Sequence, residues 1–89
     1  MMNDYETIYS SSPVEMEADK MQLAVATANL VTYIKKEMNI DILENENVSS
    51  IKRYVEADTI EFTFNYKDKM YIATYFKNSN EYDISTLIL

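Results

Sequence analysis

Fifteen of the 89 residues are Asp or Glu, and they are the side chains best suited to chemistry in a chain with no histidine, no cysteine and no glycine. Two carboxylates can divide acid and base work in glycoside hydrolysis. Asp41, Glu44, Glu46 and Asn47 stand close enough in sequence to gather around a hard cation. Neither pattern is developed further. Catalytic acids need a concave pocket, and a domain of this length has little volume for one. The 41–47 run also lacks the alternating ligand positions and the glycine of an EF-hand loop. Ser10, Ser11 and Ser12 read as linker plus helix cap, not as a nucleophile.

The missing residue types remove further classes of activity. Without histidine or cysteine there is no imidazole base near neutral pH, no thiolate nucleophile and no ordinary zinc site. Without glycine there is no Walker or dinucleotide loop, since both bring bare backbone against phosphate. Average usage of roughly 7% leads one to expect about six glycines in a chain of this length. The sequence therefore points to a non-catalytic protein without cofactor or metal, whose information lies on its surface.

Charge indicates the kind of partner. The formal net charge is −7, which opposes approach to nucleic acid phosphates or to an anionic membrane and favours a basic protein surface. Residues 1–19 carry Asp4, Glu6, Glu15, Glu17 and Asp19 with no base, and a second run holds Glu37, Asp41, Glu44 and Glu46. The competing reading is that both runs are solvated stretches that maintain solubility. Asn, Ile, Lys and Tyr supply more than a third of the chain. Their codons are rich in A and T, which fits a low-GC bacterium, its phages or its plasmids.

The elements that must position these residues follow from period and caps. Residues 1–12 read as a flexible acidic arm or a short edge segment, anchored by Tyr5, Ile8 and Tyr9. Residues 13–89 form one α+β domain of 47% apolar composition. Ser12, Pro13 and Glu15 make a capping box with proline at the first helical position. From there Met16, Leu23, Ala26 or Thr27, Leu30, Ile34 and Met38 draw one stripe, with Val31 widening it, over a helix at 13–38. Such a helix is about 39 Å long and eight-residue strands about 26 Å, so an overhang of roughly 10 Å is expected.

Beyond a connector at 39–50 the period changes to two, and strands are expected at about 51–55, 59–66, 70–77 and 82–89 in an antiparallel meander of three to four strands. No glycine marks the turn at 67–69, so two hairpin registers compete. A three-residue loop is preferred because it buries Met70, Ile72 and Phe76 under the helix. That choice places Tyr71 and Tyr75 on the outer face, joined by Tyr54 and Tyr82 according to register, as an amphipathic aromatic patch of the kind found at protein interfaces. The competing reading is that tyrosine simply suits a half-buried strand and covers neighbouring backbone.

The protein-binding residues expected from this reading are Asp4, Glu6, Glu15, Glu17, Asp19, Tyr71 and Tyr75. The expected function is a small acidic cytoplasmic binder, of a phage or mobile-element inhibitor type, that imitates DNA and occludes a basic surface of a host protein. It contacts neither nucleic acid nor membrane directly. The alternative is a self-associating structural subunit, a homodimer held by the tyrosine face or the helix overhang. The early acids and absence of early Lys or Arg argue against a signal peptide, and no apolar run reaches the ~20 residues of a bilayer span.

Overall fold

Between Lys20 and Met38 the apolar positions recur every three or four residues, and this stretch forms the helix α1. Thr27, Leu30 and Ile34 are buried along it, Leu23, Ala26, Val31 and Met38 are half-buried, and Ala24, Val25, Ala28 and Asn29 face outward. Lys35 and Lys36 lie in the last turn, where they complement the negative end of the helix dipole. Asn39 ends the helix in a left-handed conformation (φ 58°) and its N–H donates to the carbonyl of Lys35 at 2.8 Å. Asparagine thus takes the place that glycine usually holds at a helix C-terminus. The structure, a computed structural model, describes residues 4–9 and 20–88. The capping box at Ser12, Pro13 and Glu15, and the expected overhang, lie outside the described residues.

Among the described residues five strands form one sheet in the order β1-β2-β3-β4-β5: β1 Glu6–Tyr9, β2 Val48–Val55, β3 Thr59–Tyr66, β4 Lys69–Phe76 and β5 Glu81–Ile88. The α+β class holds, but the sheet is mixed and wider than expected from period alone. β1 pairs parallel with β2, from Glu6 beside Lys52 to Tyr9 beside Val55, so part of the expected arm is an edge strand. Among the described residues the order is therefore β-α-β followed by a meander.

β2 starts three residues earlier than its alternation suggests, and the reason is a bulge. Val48 and Ile51 are both buried, yet their odd spacing would put them on opposite faces of a regular strand. The register shifts between Ser49 and Lys52, and Ser50 takes φ 56°. The extra residue returns both side chains to the helix side.

The β3–β4 hairpin corrects the expected register. Its loop is the two residues Lys67 and Asp68, both at positive φ (51° and 65°), a combination that matches a type I′ turn. Tyr66 pairs with Lys69, Phe64 with Tyr71, Phe62 with Ala73 and Ile60 with Tyr75. Tyr71, Ala73 and Tyr75 therefore share the helix side with the core phenylalanines, and Met70, Ile72 and Phe76 are on the outer face. The physical reason is packing. Ala73, fully buried opposite fully buried Phe62, leaves room for Leu30 and Ile34 of α1 in the same cluster.

That cluster also contains Ile40 and Ile42 from the connector. The connector is pinned by Asp41, whose Oδ1 accepts from the N–H of Leu43 at 3.0 Å and whose carbonyl accepts from Asn45 at 2.8 Å. Each fully buried Leu, Ile or Phe side chain here contributes about 1.5–3 kcal/mol.

Candidate interaction surface

The two faces of the sheet differ in chemistry because α1 covers one of them. On the covered side the tyrosines form a stacked series. Tyr33 of α1 lies 5.0 Å from Tyr82 with planes 20° apart, Tyr82 lies 5.0 Å from Tyr75, and Phe64 stacks on Tyr71 at 5.5 Å. The Tyr75 hydroxyl donates to Oδ1 of Asn80 at 3.0 Å, which carries its polar tip out to the β4–β5 turn. The Tyr33 hydroxyl is held above the ordinary phenol range, first by desolvation and then by the carboxylates of Glu37 and Asp83.

Tyr71 and Tyr75 are consequently half-buried packing residues beside the helix, not an outward patch. Tyr82 goes with them, whereas Tyr54 does lie on the outer face, opposite Glu61. Asp4 and Glu6 are exposed. Glu15, Glu17 and Asp19 lie outside the described residues.

Near the other end of α1 stands Arg53, the single arginine in the sequence. Its position opposite Phe62 puts it on the helix side. One terminal nitrogen donates to Oγ1 of Thr27 at 3.1 Å, and the guanidinium lies 5.3 Å from the Tyr5 ring, which itself meets Phe62 edge-on at 5.3 Å. Nε of Arg53 is buried without a hydrogen-bond partner. Arg53 thus joins α1, β2 and the approach to β1. Its isolation as a lone arginine among apolar positions of a strand was the sequence signal for this role.

No described helix or strand packs on the outer face, where Thr63 and Thr74 are buried among their cross-strand neighbours and Ile8, Tyr54, Glu61 and Ile72 are half-buried. Cross-strand rows define it: Glu6 beside Lys52, then Thr63, Ile72 and Ser85; Ile8 beside Tyr54, then Glu61, Thr74 and Asp83. Met70 lies beside Leu87 and Phe76 beside Glu81. Phe76 and Leu87 are exposed to 41% and 50%. Glu61 is oriented by Thr74, whose hydroxyl donates to Oε1 at 3.3 Å. Among the described residues four carboxylates, Glu6, Glu61, Glu81 and Asp83, thus share this face with one base, Lys52, around a band of Thr, Ile, Met and Phe.

Among the described residues no three acids gather as metal ligands, and no helix is long and apolar enough to cross a membrane. Set against known proteins, the chain matches no family model, no curated protein and no solved structure.

Proposed function

We propose that this chain is a non-catalytic interaction domain that binds a basic protein surface through the uncovered face of its sheet. The observation that carries the reading is the charge of that face, Glu6, Glu61, Glu81 and Asp83 against Lys52. Half-buried Ile8, Tyr54 and Ile72 and exposed Phe76 and Leu87 between the acids supply contact area, while the acids supply orientation and encounter rate. A nucleic-acid-binding protein of the host is the partner class that best fits a chain of net charge −7. Occlusion of its basic surface, as a phage or mobile-element inhibitor would achieve it, is the mechanism.

The test is capture of DNA-binding proteins on the immobilised chain at low salt, with duplex DNA as competitor. The expected result is retention that DNA displaces, that weakens steeply with salt, and that is lost when Glu61, Glu81 and Asp83 are all replaced by Lys. Reversal of Glu15, Glu17 and Asp19 in a separate variant reports on the N-terminal acids. Retention that is indifferent to salt and to both reversals would refute the proposal.

A further inference from the structure

β5 pairs with β4 without interruption from Ile88 beside Lys69 to Glu81 beside Phe76, and among the described residues nothing pairs with its other edge. The N–H and C=O groups of alternate residues along these eight face outward there, the others being turned towards β4. Proteins commonly protect such an edge with charged side chains, a proline, a bulge or short length. In Glu81–Ile88 the only charges are Glu81 and Asp83 in the first half, and the second half has no protection of these kinds, whereas at the opposite edge β1 has four described residues.

We infer that the free edge of β5 pairs antiparallel with β5 of a second copy of this chain, joining two sheets into one across a two-fold axis at Ser85. The occupant is identified by the strand's own charge. Glu81 and Asp83 are in its first half, and Ser85, Thr86 and Leu87 in its second are uncharged. Antiparallel self-pairing sets the acidic half of each strand against the neutral half of the other.

An axis on a residue keeps helix-side residues of both copies on one side, because side chains alternate along a strand. Centring on Ser85 places Asp83 opposite Leu87 of the second copy and separates the two Asp83 carboxylates by about 14 Å along the seam; centring on Ile84 would halve that distance. The two Tyr33–Tyr82 stacks are then offset by about 20 Å along the seam, which leaves room for both helices. The pairing is independent of the basic partner proposed above and leaves the outer sheet face open.

Leu87 tests the arrangement because it is exposed and outside the core. Light scattering and sedimentation of the full chain over a concentration series should give a dimer. Leu87→Asp sets acid against Asp83 twice per dimer and should weaken association about tenfold or more, while Leu87→Lys sets a base there and should keep it. Both variants remove the same apolar side chain, so a dimer weakened equally by both overturns the pairing in favour of a simple apolar contact. A dimer indifferent to both overturns it in favour of another surface. A chain that is monomeric at every concentration also overturns it and leaves the edge to a strand of another protein. Thermal unfolding of each variant separates loss of association from loss of fold.

Discussion

Arg53 reaches 26 residues back along the chain to donate a hydrogen bond to Oγ1 of Thr27 at 3.1 Å, so a strand residue and a helix residue that no local rule connects hold α1 against β2. The bond serves the fold at a cost, since Nε of the same guanidinium is buried unpaired. Thr27→Val keeps the shape of the helix side chain but leaves a second arginine nitrogen without this acceptor. It is expected to destabilise the protein by about 1–2 kcal/mol, read as a lower urea midpoint. Arg53→Met removes the orphaned donor with its charge and should cost less than Arg53→Ala, which also leaves a cavity beside Tyr5. Equal losses for the two would remove the desolvation argument.

The Lys67-Asp68 turn should accept better turn residues. Both occupy the left-handed region, which disfavours residues with a Cβ by roughly 1–2 kcal/mol relative to glycine. The double variant Lys67→Asn, Asp68→Gly has the residue pair preferred in type I′ turns and should raise stability by about 1 kcal/mol with an unchanged denaturant slope. A lower midpoint would mean that the loop is not of this type.

Ala73 and Ile72 distinguish the observed hairpin register from the one expected on composition. Ala73 is fully buried against Phe62, while Ile72 is half-buried on the outer face. Ala73→Leu should destabilise by about 1–3 kcal/mol through overpacking, whereas Ile72→Thr should cost under about 1 kcal/mol on the open face. Chemical unfolding of the two variants decides the matter, and a reversed order would restore the three-residue loop.

Alkaline pH should loosen the junction of α1 with β5. The Tyr33 phenol is raised from 10.0 in the folded chain by desolvation, Glu37 and Asp83. The unfolded chain therefore gives up this proton first, and stability falls as pH rises through 10.0 towards the higher folded value. Below that window Tyr33 is neutral in both states and contributes no pH dependence. Tyr33→Phe keeps the stack on Tyr82 and should flatten the decline in thermal midpoint above pH 10, and an identical decline in both proteins would exclude Tyr33 as its source.

The absence of glycine had a structural answer that composition alone did not show. Asn39, Ser50, Lys67, Asp68 and Asn80 all take positive φ, at a helix end, a bulge and two hairpin turns. Asparagine and aspartate tolerate this conformation well and serine and lysine less so, which is why the turn at 67–68 carried no recognisable signature. The bulge was legible in principle, since Val48 and Ile51 conflict with strict alternation.

What the amino-acid order by itself determined was local: the amphipathic stripe of α1, the alternation of β3, and the acidic balance of the chain, because each depends on the period of one element or on a count of charges. Tertiary structure decided which face of β4 meets the helix, whether residues 6–9 join the sheet, and where Arg53 is held. In each case the deciding energy comes from contacts between residues distant in sequence, above all the fit of Ala73 beneath α1 and the parallel pairing of β1 with β2. Those contacts moved Tyr71 and Tyr75 to the covered side and left the carboxylates of Glu6, Glu61, Glu81 and Asp83 on the open one.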